Sequence, residues 1–398
     1  MSLELSVVVA GHICLDIIPL FDTLSPGEFT SLFQPGRLIE VGPSIFSTGG
    51  TVSNTGLTLH RLGVPTRLMG KIGDDLFGMA VLDIIRSHGP GLETGMVVDK
   101  NTSTSYTVII NPPGFDRLFL HNPGANETFS VADIRYDQVA QAALFHFGYP
   151  TVMRHMFDNN GAGLAQLFIQ AKATGVTTSL DLTFPDPASA GGRADWPAIF
   201  QAVLANVDIF TPSIEELLFL LRRETYSRLL EAAGNRSILE LVTAELLSDI
   251  SDELLGLGVK IILLKLGERG VYLRTASQPL LQRMGRASPV GYSAWAQQEL
   301  WAPSFQVDVV GTTGSGDAAI AGFFSGLLRG LSPEDALTAA SAVGACNVEA
   351  SDALSGIRSW EATLARVANG WQLHPLQLPN HDWRWDDEHH LWKKLHQV

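Results

Sequence analysis

The chain has 398 residues, 45% hydrophobic and 17% charged, which is enough to bury the core of one large α/β domain or two ordinary ones. Its 27 basic and 41 acidic residues give a formal net charge of −14, which argues against nucleic acid or an anionic membrane as a main partner. The two cysteines, Cys14 and Cys346, exclude a disulfide scaffold, and the absence of a long apolar run or a signal-peptide pattern predicts a cytoplasmic protein without a membrane span.

Short apolar runs alternate with helical patterns along most of the chain. Predicted core strands are 7–13, 144–148, 178–182, 207–210 and 261–266, and predicted helices are 53–61, 78–87, 161–173, 215–221, 317–329 and 333–348. Each strand is almost entirely apolar, as expected when helices cover both faces of a parallel sheet. The pattern predicts an α/β fold with a doubly wound, mainly parallel sheet flanked by helices.

Five regions depart from this alternation. Residues 14–48 and 101–121 are typical of strands in a small separate sheet, and SYTVII, NPPGFD and RLFLH predict a hairpin within it. Residues 222–250 and 275–303 are interpreted as a helical insertion and a polar surface loop. The tail 371–398 alternates apolar and charged residues as a helix does, and His389, His390 and His396 within it lack structural-zinc spacing. We therefore predict one domain over 1–370, with a tail that packs on it.

The segment VGTTGSGDAAIAG, residues 310–322, predicts a glycine-rich turn that leads into a helix. The first amides of a helix lack partners within it and favour anions, so the backbone of Gly314, Ser315 and Gly316 is a candidate phosphate or oxyanion site. Asp317 has two interpretations. It is either a general base for phosphoryl transfer, or a structural N-cap. The segment is neither a Walker A loop nor a GxGxxG motif.

This segment resembles the C-terminal signature D-T-x-G-A-G-D of the PfkB or ribokinase-like carbohydrate kinases. Residues 49–78, GGTVSNTGLTLHRLGVPTRLMGKIGDDLFG, resemble the N-terminal signature of the same family. Three shorter segments, GHICLD, TPSIEE and KLGERG, follow the family order as well. The resemblance covers roughly residues 5–365, and it implies a ribokinase-like fold whose small sheet is a lid over the substrate.

The resemblance also implies the role of individual residues. Asp317 would be the catalytic base, and Gly314, Ser315 and Gly316 would form the anion hole. Sugar would be bound by Asp16, Gly49, Gly50 and Asn54, with Arg117 as a lid residue. Glu216 would organise Mg²⁺, and ATP would be bound near Ser213, Lys265, Gly267, Gly270 and Asn347. These residues also have structural interpretations: Asp16 is a surface or strand-end acid, Asn54 and Glu216 are polar residues at the start of a helix, and Arg117 is an exposed edge charge. Gly267 and Gly270 would then make a hairpin turn.

Three positions depart from the family pattern. Gly311 replaces the aspartate that helps to ligate a monovalent cation, which puts activation by potassium in doubt. Ser213 replaces an asparagine, and Lys265 replaces a threonine. We interpret Lys265 as a positive charge for the ATP phosphates.

The resemblance implies an enzyme that uses ATP and Mg²⁺ to phosphorylate a hydroxyl of a small sugar, as fructokinases and ribokinases do. A nucleoside kinase of the same family and a non-catalytic sugar or nucleotide sensor remain alternatives. The lids of family members often pair, so a homodimer through the lid is expected. The sequence does not distinguish fructose, ribose, a 2-keto-3-deoxy sugar acid or a nucleoside.

Overall fold

The computed structural model describes residues 6–21, 35–36, 38–110, 118–378 and 382–395. The strands are β1 Val7–Gly11, β2 Cys14–Pro19, β3 Ser44–Gly49, β4 Thr66–Met69, β5 Lys71–Gly73, β6 Val97–Asp99, β7 Tyr106–Ile110, β8 Leu118–Asn122, β9 Leu144–Gly148, β10 Thr177–Asp181, β11 Ile209–Phe210, β12 Ile261–Lys265, β13 Val271–Thr275, β14 Glu299–Ala302, β15 Trp383–Asp386 and β16 Leu391–Lys394.

The α-helices alternate with these strands over most of the chain. They are α1 Thr51–Arg61, α2 Leu76–His88, α3 Tyr136–Val139, α4 Arg154–Ala173, α5 Ala190–Arg193, α6 Trp196–Val203, α7 Ile214–Leu221, α8 Arg223–Ala233, α9 Ala244–Gly256, α10 Gln278–Leu281, α11 Tyr292–Trp295, α12 Ser315–Leu328, α13 Pro333–Asn347 and α14 Trp360–Ala368. Helix α4 is kinked at residues 158–161, so the helix predicted from Gly161 is the part after the kink. In the described part of the chain, no helix has the length and apolar character needed to cross a membrane.

A ten-stranded sheet forms the centre of the molecule, in the order β15-β16-β14-β13-β12-β11-β10-β9-β1-β4. The six strands from β4 to β12 pair in parallel, and the remaining four pair antiparallel. Apolar clusters on the two faces of this sheet are covered by helices, which explains why the parallel strands are apolar throughout. The predicted doubly wound sheet is confirmed, and the carboxyl ends of its parallel strands meet at one edge, where ligands bind in such folds.

A separate four-stranded sheet has the order β3-β2-β7-β8 and contains the predicted hairpin. Strands β7 and β8 pair antiparallel from Tyr106 opposite Asn122 to Ile110 opposite Leu118. The turn between them, including Arg117, lies outside the described residues. Strand β2 follows β1 after two residues, so the small sheet begins where β1 leaves the central sheet.

Helices α12 and α13 pack closely because small residues line their contact. A side chain at Gly322 would reach to 2.6 Å from the carbonyl oxygen of Ala339, and one at Gly326 to 3.0 Å from Ala336. The small-residue run after Asp317 is therefore required for packing, and it holds the start of α12 against its neighbour.

Two sequence predictions were wrong. The predicted surface loop 275–303 contains β14, whose Leu300 and Trp301 are fully buried. The tail forms β15 and β16 rather than a helix, and Trp301 lies opposite Trp392 where β16 pairs with β14. Without this hairpin, β14 would be an edge strand with unpaired amides. The sequence predictions failed here because short apolar runs alone do not distinguish a strand from a helix.

Candidate active site

The glycine-rich segment begins α12 as predicted, but two residues earlier than the sequence suggests. Gly314 is the N-cap residue, with a left-handed φ of 74°, and makes no side-chain cap. Asp317 lies within the first turn instead of at its N-cap position. The structural alternative, in which Asp317 caps the helix, is therefore wrong. The turn at 314–316 presents the positive end of α12 toward the edge of the central sheet.

The carboxylate of Asp317 is almost fully buried and accepts three side-chain hydrogen bonds. Asn54 Nδ2 donates at 3.1 Å and Tyr149 OH at 2.6 Å to Oδ2, while Thr55 Oγ1 donates at 2.8 Å to Oδ1. The structure thus brings together two predicted residues that are 263 positions apart. Burial, followed by the negative charge of Asp317, holds the pKa of Tyr149 well above its ordinary value, so the phenol remains a donor at neutral pH.

Sequence reasoning missed Thr55 and Tyr149. Thr55 directly follows Asn54 on α1, and its position beside a predicted ligand was a usable signal. Tyr149 follows β9 at the carboxyl edge of the sheet and has a φ of 66°, a conformation that non-glycine residues rarely adopt. Such strained residues concentrate at functional sites, but a sequence does not reveal them.

The glycine pair brings two side chains close to the start of α1. A Cβ on Gly49 would collide with the carboxylate of Asp16, and one on Gly50, whose φ is 88°, would collide with the ring of His12. The region at the start of α1 is therefore bordered by Asp16, Gly49, Gly50 and Asn54. Burial raises the pKa of Asp16 to about 6.

A second group of charges lies at the ends of neighbouring parallel strands. Lys265 Nζ at the end of β12 donates to Asp181 Oδ1 at the end of β10, at 2.7 Å. Asp181 is fully buried, and its Oδ2 has no partner among the described residues. Burial alone would lower the pKa of Lys265, but the carboxylates of Asp181, Glu216 and Asp317 outweigh it and raise that pKa, so the amine stays charged. Sequence reasoning missed Asp181.

The side chain of Lys265 also lies against Gly316, in the turn predicted to bind an anion. A Cβ on Gly316 would approach its Cδ to 3.0 Å and its Nζ to 3.5 Å. Glycine at position 316 therefore leaves room for the lysine side chain against the first turn of α12. The ammonium lies between the carboxylate of Asp181 and the turn that would bind phosphate.

Ser213 and Glu216 form a capping box at the start of α7. Glu216 Oε2 accepts from the Ser213 amide at 2.8 Å, and Ser213 Oγ accepts from the Glu216 amide at 3.2 Å. The described residues include no group of three or more metal-ligating side chains. Mg²⁺ in phosphate sites is usually held by one or two carboxylates together with phosphate oxygens and water. Glu216 and the unpartnered oxygen of Asp181 fit that donor set.

Three of the residues predicted to bind ATP make structural contacts: Gly267, Gly270 and Asn347. Gly267 and Gly270 have positive φ values of 55° and 91° in the tight turn between β12 and β13. Asn347 is fully buried at the end of α13 and donates from Nδ2 to the carbonyl of Ala353 at 2.7 Å. These contacts agree with the structural interpretation of the glycines, and any contact with a nucleotide would be additional.

Packing explains why residue 311 is a glycine rather than the aspartate of the family pattern. A Cβ at this position would lie 2.9 Å from the carbonyl oxygen of Ala350 and 3.1 Å from Ser351 Cα, and the Gly311 amide donates to Val348. The segment after α13 occupies the space that an aspartate side chain would need. The loop before the anion site is thus held by backbone contacts.

The chain is similar to known proteins over most of its length. The family model described as pfkB family carbohydrate kinase matches residues 5–360. A probable chloroplastic fructokinase-6 of Arabidopsis thaliana is 24% identical over 368 residues, which are 89% of this chain and 80% of the relative. Fructokinase-2 of Oryza sativa subsp. japonica is 24% identical over 79% of this chain and 81% of its own length.

Two solved structures show the same fold. The fructokinase of Xylella fastidiosa with bound ATP has a TM-score of 0.66 at 18% identity, covering 92% of this chain and 99% of its own. The ribokinase of Arabidopsis thaliana complexed with ribose and ATP has a TM-score of 0.64 at 21% identity, covering 91% and 98%. The predicted ribokinase-like fold is confirmed.

Proposed function

Because the chain belongs to the pfkB family of carbohydrate kinases, we propose that it transfers the γ-phosphoryl group of ATP to a hydroxyl of a small sugar, as a fructokinase or ribokinase does. The observation that carries this proposal is the buried carboxylate of Asp317 in the first turn of α12, directly after the glycine-rich anion turn. A sugar-binding protein without catalysis has no need of a base at that position.

Asp317 accepts the proton of the attacking hydroxyl. Hydrogen bonds from Asn54, Thr55 and Tyr149 fix the carboxylate. The substrate hydroxyl binds to one of its two oxygens, either beside these donors or in place of one of them. Amides of residues 314–316 then bind the equatorial oxygens of the transferring group, where charge accumulates in the transition state. Asp16 and the backbone at Gly49 and Gly50 hold the remaining sugar hydroxyls.

Mg²⁺ would supply positive charge that offsets the negative charge of the phosphate groups. Glu216 and Asp181 would hold it through their carboxylates or bound water. Lys265 adds a fixed positive charge beneath the anion turn, and Ser213, Gly267, Gly270 and Asn347 border the nucleotide in this proposal. Arg117 as a lid residue remains part of it, although its position lies outside the described residues.

The test is Asp317→Asn in a coupled ADP-release assay. We expect kcat to fall by about 10²–10⁴-fold, the usual contribution of a general base, while sugar binding persists. Asp335→Asn is the matched control, because Asp335 occupies the same first-turn position on the neighbouring helix α13, where it forms only a cap. Near-normal turnover by Asp317→Asn would reject Asp317 as the base.

A panel of sugars and nucleosides distinguishes the remaining alternatives. If the protein phosphorylates a nucleoside in preference to every sugar, it is a nucleoside kinase rather than a sugar kinase. A wild-type protein that binds sugar or nucleotide but turns over no member of the panel would be a sensor, and the proposed function would fail.

A further inference from the structure

His12 connects the two sheets, between the end of β1 and the start of β2. Its amide donates to the carbonyl of Gly148 at 3.3 Å, and its carbonyl accepts from the amide of Val52 at 3.2 Å. The backbone is therefore held from two sides, by the end of β9 and by the first turn of α1. These contacts fix where the side chain begins, and nothing in them requires an imidazole.

The ring of His12 is only 4% exposed, and neither of its nitrogens has a hydrogen-bond partner among the described residues. Buried polar atoms are nearly always paired, because an unmet hydrogen bond away from water costs free energy. His146, another buried histidine, differs because its Nδ1 is 3.0 Å from Ser179 Oγ. Two unmet nitrogens on one buried ring indicate that a ligand or water supplies the partners.

The neighbours of the ring place it in the proposed sugar site. The His12 and Tyr149 ring centroids are 6.0 Å apart, and the Tyr149 hydroxyl donates to Asp317. On the lid side, the ring of His121 from β8 is 5.2 Å away. Gly50 lies against Nδ1, and the adjacent Gly49 lies against the carboxylate of Asp16. His12 and Asp16 thus flank the same glycine pair.

We propose that His12 binds sugar hydroxyl groups directly, with one ring nitrogen as donor and the other as acceptor, and that it selects an uncharged polyol over a sugar acid. This inference rests on the proposed sugar-kinase function and deepens it. Nothing in the sequence resemblance assigned a role to His12.

The charge state of the ring supports the choice of substrate. Burial, followed by the nearby His121, holds the pKa of His12 well below its ordinary value, so the imidazole is neutral at physiological pH. A neutral imidazole presents one donor and one acceptor, and a hydroxyl complements both. A carboxylate only accepts hydrogen bonds, and it would also meet the negative charges of Asp16 and Asp317, which border the same site.

The first experiment measures the KM for D-fructose and for ATP in His12→Leu, which keeps the bulk of the side chain and removes both nitrogens. We expect the KM for the sugar to rise about 10–100-fold and the KM for ATP to stay within about twofold, as loss of one or two hydrogen bonds to substrate predicts. His12→Asn and His12→Gln, which retain a donor and an acceptor, should restore part of the affinity.

His146→Leu is the matched control, since it removes a buried imidazole outside the proposed sugar site. It should lower stability without changing the KM for the sugar. If His12→Leu and both amide variants keep the wild-type KM for sugar, the inference is wrong, while wild-type turnover still supports the proposed function.

A second measurement uses the wild-type protein and so does not depend on the folding of any variant. Its kcat/KM for D-fructose should exceed that for a 2-keto-3-deoxy sugar acid. Preference for the acid would overturn the inference. Absence of turnover with both compounds points to failure of the proposed function instead, and the sugar-induced rise in Tm then tests His12 without catalysis, since His12→Leu should abolish that rise.

Discussion

Asp16 and Asp317 are both buried carboxylates, but their surroundings differ. Asp317 accepts from an amide, a hydroxyl and a phenol, whereas Asp16 accepts from the thiol of Cys14 at 3.3 Å, a weak donor, and from the hydroxyl of Thr107. Ionised groups in dry surroundings need strong donors, so Asp16 is held in a less favourable environment for its charge. Sugar hydroxyls would supply the missing donors.

Asp16 makes stability depend on pH in a definite direction. Because burial raises its pKa from 3.8 to about 6, folding favours the protonated form. The stabilisation from this group is complete below about pH 4 and is lost as the pH rises through about 6, a cost of up to about 3 kcal/mol in the free energy of unfolding.

Asp16→Asn removes this titration. In urea unfolding, the variant should gain stability relative to the wild type between about pH 4 and pH 7, while its KM for sugar rises. A difference in the free energy of unfolding that stays constant over this range would contradict the assignment.

A largely buried lysine lies at each end of strand β12, with Lys265 as its last residue and Lys260 directly before its first. Lys265 pairs with Asp181 at the carboxyl end of β10, beside the anion turn. At the other end, Lys260 lies 3.3 Å from Asp208, which also pairs with Lys172. Strand β12 therefore has a structural ion pair at one end and an ion pair of the candidate active site at the other. Local sequence pattern alone treats the two lysines alike, because both are single charges at the borders of an apolar run, and only the family resemblance singled out Lys265.

Substitution of each lysine by methionine should have a different effect on catalysis. Lys265→Met leaves Asp181 without its ion-pair partner and removes charge beneath the anion turn, so kcat should fall and the KM for ATP should rise, each by about tenfold or more. Lys260→Met should lower Tm with little change in either constant, since Asp208 keeps Lys172. If Lys265→Met has wild-type kcat and KM for ATP, then Lys265 does not act on the phosphates.

At the scale of the whole molecule, the small sheet exposes large apolar side chains. Ile45 and Phe46 on β3 and Leu118 and Leu120 on β8 are 39–56% exposed. A group of such residues on one small sheet is typical of an association surface. This supports the proposed homodimer through the lid, in which each lid would cover the apolar residues of the other.

Light scattering tests this association. The wild type should have the mass of a dimer at micromolar concentration, and Phe46→Asp should shift it toward the monomer, because a carboxylate would be buried in the interface. Leu230→Asp is the control, since Leu230 on α8 is equally exposed but lies outside the small sheet. A monomeric wild type, or a dimer that is unchanged by Phe46→Asp, would contradict the proposal.

The sequence by itself determined the α/β class, the hairpin of the small sheet and the glycine-rich turn at the start of α12. These depend on local patterns: apolar runs of strand length, turn residues, and glycines before a helix. It also indicated Asp317 and Asn54, because each lies in a recognisable local motif. The carboxyl-edge position of the candidate site follows from the parallel order of the strands.

Only the tertiary structure decided what surrounds these residues. Tyr149 and Asp181 each lie at the end of a strand, and their importance comes from Asp317 and Lys265, which are 168 and 84 residues away in the chain. The tail forms strands because β14 offers it an unpaired edge, which no pattern within residues 371–398 reveals. His12 is one more histidine in an apolar segment until the fold buries its ring beside Gly50, where neither ring nitrogen has a hydrogen-bond partner among the described residues. Burial and pairing are relations between distant segments, so they exist only once the chain is folded.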